Sequence, residues 1–121
     1  MKDVFVCQEG DLADGSTLVV SNTGAEIAVF RHDGAYYAYR NYCPHQGGPA
    51  CEGVRMPKVV ENIDEAGFYR GQSFDESEFH IICPWHGYAF RVTDGVNAND
   101  PKLRLKKFDV TVQDGQIYVR I

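Results

Sequence analysis

Residues 27–40 read IAVFRHDGAYYAYR, two β-prone runs on either side of an Asp-Gly pair. Asp-Gly suits a tight reversal because glycine, and to a lesser extent aspartate, tolerates a positive φ angle. The runs 27–30 and 36–40 are rich in β-branched and aromatic residues, which favour strands. This segment therefore predicts a β-hairpin.

The same pattern extends over the rest of the chain. Three further Asp-Gly pairs stand at 14–15, 94–95 and 114–115, and the last of them predicts a second hairpin. Short strands at regular spacing, with turn signals between them, predict an all-β sandwich or barrel. The other predicted strands are 4–7, 18–20, 80–83, 88–92, 108–112 and 117–121.

One stretch, residues 55–79, interrupts this pattern. It is polar and acidic, yet it also holds three aromatic residues, Phe68, Tyr69 and Phe74. We expect an inserted hairpin or an ordered loop here, with a short helix over residues 59–66.

Composition limits the classes of partner and compartment. A chain of 121 residues has room for one domain with a hydrophobic core. The net charge of −5 argues against nucleic acid or an anionic membrane as a partner. No apolar run approaches the roughly 20 residues that cross a bilayer, and no export signal begins the sequence, so we expect a cytoplasmic protein. In that reducing compartment metal ligation is favoured over disulfides for at least some of the four cysteines.

Two short segments carry the candidate chemistry. The first pairs Cys43 with His45, and the second pairs Cys83 with His86. A mixed set of thiolates and imidazoles suits zinc or iron–sulfur chemistry. Proline and glycine in both segments restrict the backbone and let it approach a metal closely.

The segments CPHQGGP at 43–49 and CPWHGYAF at 83–90 resemble the two cluster loops of the Rieske family. The Asn-Asp-Pro at 99–101 resembles the proline-containing loop that covers the cluster in that family. The resemblance implies an all-β, Rieske-like antiparallel sandwich or barrel with a small cluster-binding subdomain of two loops. It implies one domain over 1–121, with an acidic insert near 55–79 that separates the loops more widely than these ferredoxins commonly show. A [2Fe–2S] cluster would be held by Cys43, His45, Cys83 and His86.

The resemblance also allows the reduction potential of the cluster to be compared with those of other Rieske proteins. Respiratory-chain members carry an additional cysteine in each loop, and the matching positions here are Gly48 and Trp85. Those members place hydroxyl groups near the cluster where this chain has Tyr88 and Phe90. Since fewer hydrogen bonds reach the cluster sulfurs, we expect a low potential.

These features predict an electron carrier rather than an enzyme. It would pass one electron from a flavoprotein ferredoxin reductase to a terminal oxygenase. Two alternatives remain open: a small Rieske subunit of a larger oxidoreductase, resembling the nitrite reductase small subunit, and a zinc-binding module. We expect His32 to be exposed, His80 to be a surface or cross-strand residue, and Cys7 and Cys51 to be thiols outside the ligand set.

Overall fold

The computed structural model describes residues 3–22, 24–44, 47–84 and 87–121, and this part of the chain is almost entirely strand and turn. Two short 3-10 helices cover Glu9–Asp11 and Ala50–Glu52. No helix in the described ranges has the length and apolar character needed to cross a membrane. The strands are β1 (Asp3–Gln8), β2 (Thr17–Asn22), β3 (Ala25–His32), β4 (Ala35–Arg40), β5 (Arg55–Ile63), β6 (Tyr69–Ile82), β7 (Ala89–Arg91), β8 (Lys107–Gln113) and β9 (Gln116–Arg120).

The strands form two antiparallel sheets. The larger has the order β1-β9-β8-β4-β3-β2 and curls into a nearly closed barrel, and the smaller has the order β5-β6-β7. The predicted hairpins β3–β4 and β8–β9 are both present, and Asp33 and Asp114 at their turns have φ angles of 50° and 52°. The all-β expectation is confirmed.

Strand β3 is buried on both faces, which explains the continuous apolar run at 27–30. Alternate side chains of a strand point to opposite faces. Ile27 and Val29 therefore pack into a first core with β9, while Ala28 and Phe30 pack into a second core with the small sheet. The second core is the one that holds the candidate metal ligands.

Residues 55–79 belong to a long hairpin of β5 and β6, so the expected inserted hairpin is confirmed and the short helix over 59–66 is wrong. Val59, Val60 and Glu61 instead pair with residues 72–74 of β6. Two of these three residues are β-branched and fit a strand better than a helix. Beyond them the Asp64 side chain accepts the N–H of Phe68 at 2.9 Å, which closes the turn at the hairpin tip.

Candidate metal centre

The two cysteine-containing loops have the same pattern of backbone hydrogen bonds. In each loop the cysteine carbonyl accepts the N–H of a glycine four residues later, and the cysteine N–H donates to the carbonyl five residues later. Both glycines have positive φ angles, +77° and +68°, which glycine adopts without strain. The bonds are Gly47 to Cys43 at 2.7 Å, Cys43 to Gly48 at 2.7 Å, Gly87 to Cys83 at 3.2 Å and Cys83 to Tyr88 at 2.8 Å.

Cys43 and Cys83 lie in the same buried core, and each is only 1% exposed. As thiolates, two such buried cysteines would need a metal to neutralise their charge, so the pair can serve as ligands of a metal centre. The other two predicted ligands, His45 and His86, lie outside the described residues. Within the described ranges no three metal-ligating side chains come together.

A buried asparagine braces the first loop. Asn41, at the end of β4, accepts the N–H of Cys51 and donates to a carboxylate oxygen of Glu52, both at 3.0 Å. Its own N–H donates to the carbonyl of Glu26 at 2.9 Å. The chain that returns from the loop is thereby tied to the barrel. Sequence reasoning missed Asn41, whose signal is a polar residue two positions before a predicted ligand.

The first loop also packs directly against the second. Val54, which follows the 3-10 helix, accepts the N–H of Ile82 at 2.9 Å. The neighbouring Gly53 lies against the backbone of Ile82 and the ring of Pro84. Since Ile82 immediately precedes Cys83, this contact sets the distance between the two cysteine loops. The sequence pattern did not predict it.

A third loop, residues 97–101, lies beside the second cysteine loop, and its covering of a cluster stays a prediction. Ala98 donates its N–H to the carbonyl of Ala89 at 2.9 Å, and the side chain of Asn97 accepts the N–H groups of Asn99 and Asp100, both at 2.9 Å. A cavity of about 370 Å³ separates this loop from Gly87 and its neighbours. Asn97 was missed, although an asparagine before a polar turn is a typical turn-forming residue.

Comparison with known proteins identifies this arrangement. Residues 2–109 match the Rieske [2Fe-2S] domain. The chain belongs to this family. Its cofactor is therefore a [2Fe–2S] cluster, and the two equivalent loops with buried cysteines fit such a cluster.

Two curated relatives are similar to the chain over nearly its whole length. The chain is 30% identical over 116 residues to "Ferredoxin CarAc" of Metapseudomonas resinovorans, covering 94% of this chain and 89% of the relative. It is 28% identical over 119 residues to human "Apoptosis-inducing factor 3". That alignment covers 98% of this chain but only 16% of the longer protein.

A solved structure agrees with the assignment. The Rieske domain superposes with a TM-score of 0.69 on a chain from a complex of reduced oxygenase and oxidized ferredoxin in carbazole 1,9a-dioxygenase. The two chains are 29% identical, and the match covers 97% of this chain and 91% of the other.

The two remaining cysteines have different surroundings, and no disulfide joins any of the four in this Rieske domain. Cys51 is 1% exposed, and burial raises the pKa of its thiol to about 12. It is therefore a neutral thiol at neutral pH. Cys7 is half-buried and packs against the first core, where burial, helped by Asp11, raises its pKa.

The two other histidines of the Rieske domain have protein partners. His80 is buried on β6, between Met56 of β5 and Arg91 of β7, and its Nε2 lies 2.7 Å from a carboxylate oxygen of Glu78. His32 is half-buried rather than exposed, because its ring packs on Phe79 with the ring centroids 4.5 Å apart.

Proposed function

We propose that this chain is an electron-transfer ferredoxin whose cluster is held by Cys43 and Cys83 on one iron and by His45 and His86 on the other. The observation that carries the proposal is the equivalence of the two loops, which brings both cysteines into one core. A cluster with two histidine ligands takes up and releases one electron at a higher potential than an all-cysteine cluster.

The protein's own residues fix the site before any electron moves. Asn41 holds the return of the first loop, and the packing of Gly53 on Ile82 fixes the second loop against the first. A rigid site has nearly the same geometry in its two redox states. Its reorganisation energy is therefore low when an electron arrives.

Electron paramagnetic resonance (EPR) of the reduced protein tests the ligand set. We expect a Rieske spectrum in the wild type and its loss in Cys43→Ser and in Cys83→Ser. Cys51→Ser and Cys7→Ser are matched controls, and both should keep the spectrum. A colourless, EPR-silent protein with bound zinc would support the zinc module instead, and a Cys43→Ser variant with a full signal would show that the ligand set is wrong.

We propose a potential at the low end of the Rieske range of roughly −150 to +300 mV. Phe90, which is completely buried in the core that holds both cysteines, has no hydroxyl to donate to a sulfur. Protein-film voltammetry should give a negative midpoint, and Phe90→Tyr should raise it while the EPR signal remains. A clearly positive wild-type midpoint would contradict this part.

The proposed donor is a flavoprotein reductase, and the proposed acceptor is a terminal oxygenase. The similar ferredoxin in a complex with an oxygenase, and another named as a component of an alkene monooxygenase system, support the oxygenase as acceptor. Reconstitution should show NADH-driven reduction through a reductase and reoxidation by an oxygenase. Stable co-purification with one large subunit would favour the alternative, a small subunit of a larger oxidoreductase.

A further inference from the structure

The outer part of the β5–β6 hairpin extends beyond the rest of the small sheet. Strand β7 pairs with β6 only over residues 80–82. From Lys58 to Glu78 the described strands pair only with each other. This outer part, residues 58–78, is called the arm below.

One face of the arm carries uncovered apolar side chains. The cross-strand pairs Val59–Phe74 and Ile63–Tyr69 lie on this face, four positions apart along β5, and the polar pair Glu61–Gln72 lies between them. The four apolar side chains and Phe68 at the tip are between 40% and 64% exposed. Large exposed apolar groups beside polar ones are typical of protein interaction sites.

The arm is strongly acidic. The arm has two cations against six carboxylates, a net charge of −4, so the other 100 residues carry only −1 of the chain's −5. Arg70, one of the two cations, is already paired with Asp64 at 2.8 Å. The cations are Lys58 and Arg70, and the carboxylates are Glu61, Asp64, Glu65, Asp75, Glu76 and Glu78.

The arm is held firmly at its base and tip. Arg55 at the base donates to the hydroxyl of Thr17 at 2.6 Å and to the carbonyl of Gly15, and its guanidinium lies 4.7 Å from the Phe30 ring centroid. At the tip the N–H of Phe68 donates to the Asp64 carboxylate and lowers its pKa. Since β6 leads directly into the second cysteine loop, a protein bound to the arm has a fixed position relative to the cluster.

We propose that the arm is a docking surface for a redox partner protein whose own surface combines apolar groups with lysine and arginine. The inference rests on the proposed electron-transfer function and names the surface that selects the partner. Charge favours this occupant over a second copy of the chain, because two arms of net charge −4 would repel each other. The apolar face supplies contact area, and the carboxylates increase the rate of encounter.

Ferricytochrome c is a suitable probe, because its exposed haem edge is ringed by lysines. The chemically reduced wild-type protein would transfer one electron to it in stopped flow, at several salt concentrations. In the charge variant Glu61→Gln/Glu65→Gln/Glu76→Gln we expect a rate about tenfold lower at low salt, with most of the salt dependence lost. In the apolar variant Tyr69→Ser/Phe74→Ser we expect a rate lowered at all salt concentrations.

Matched controls make the same changes elsewhere. The control for the charge variant removes three exposed charges from the barrel: Asp11→Asn/Glu26→Gln/Asp109→Asn. The control for the apolar variant removes two exposed apolar groups: Phe5→Ser/Val112→Ser. Both control variants should stay within about twofold of the wild-type rate. Every variant should keep its EPR spectrum and reduce the small uncharged acceptor p-benzoquinone normally.

Two results would overturn the docking surface while leaving the ferredoxin function intact. One is a wild-type rate with cytochrome c in both arm variants. The other is a wild-type dimer in sedimentation that Tyr69→Ser/Phe74→Ser converts to monomer, because a second copy would then cover the face. A wild-type protein without a reducible cluster would instead overturn the proposed function, and this inference with it.

Discussion

The carbonyl oxygen of Ile82 lies 1.6 Å from the position that a β-carbon on Gly53 would occupy. The φ angle of Gly53 is −78°, which any residue can adopt. Glycine is needed here because of the close approach of two chain segments. This contact joins the segment after the first cysteine loop to the residue before Cys83.

Gly53→Ala should therefore separate the two loops. The added carbon overlaps backbone atoms, which cannot turn aside as a side chain can, and overpacking of this kind costs about 1–3 kcal/mol. We expect less iron per protein and a weaker EPR signal. Gly10→Ala is the control, because nothing lies within 4 Å of the added carbon there. Equal iron contents in the two variants would show that the contact is not needed.

Asn41→Ala should destabilise the first loop. The change leaves the buried N–H of Cys51 without its acceptor, and an unsatisfied buried donor costs about 1–3 kcal/mol. Chemical denaturation, followed by cluster absorbance, measures the loss. In the control Asn62→Ala the lost contact is an exposed one with Ser73, and its free energy of unfolding should change by less than about 0.5 kcal/mol.

Tyr39→Phe tests a buried hydrogen bond between the two sheets. The Tyr39 hydroxyl donates to the carbonyl of Val92 at 2.6 Å, and burial raises its pKa far above the usual value, so it remains a donor at any ordinary pH. Its removal should lower the free energy of unfolding by about 1–3 kcal/mol. Tyr36→Phe removes only an exposed contact with Glu9. If both variants lose the same free energy of unfolding, the buried hydrogen bond contributes no more to stability than the exposed one.

The turn after β7 should show a pH dependence that comes from Asp94. Burial alone would raise the pKa of this carboxyl, but the Val96 N–H and the Arg91 guanidinium outweigh it and lower the pKa. Because the folded pKa lies below the unfolded value of about 3.9, the stabilisation is complete above that pH and disappears as the pH falls through the folded pKa.

Asp94→Asn should thus be less stable than wild type at pH 7, and the difference should shrink in acid. Urea unfolding of both proteins from pH 7 towards the acid limit of cluster stability measures this. A difference in free energy of unfolding between the two proteins that stays constant over that pH range would contradict the role assigned to Asp94.

Local patterns predicted most of the barrel. The Asp-Gly pairs at 33–34 and 114–115 lie at the turns of real hairpins, because positive φ is a property of the residues themselves. For the insert the sequence predicted a hairpin or a loop, and the hairpin is real, but the short helix at residues 59–66 was wrong. Their strand pairing depends on residues 69–74, and no local pattern showed that partner.

The sequence by itself determined most strands of the barrel, their Asp-Gly turns and the two Cys–His segments, since these depend on residue type and short-range spacing. Only the tertiary structure decided that Gly53 meets Ile82, that Asn41 braces Cys51, and that the arm leaves one apolar face uncovered. Such contacts join residues far apart in the chain or depend on which surfaces the packed sheets cover. These contacts form when distant elements pack together, and the local conformational preferences of the residues do not specify that packing.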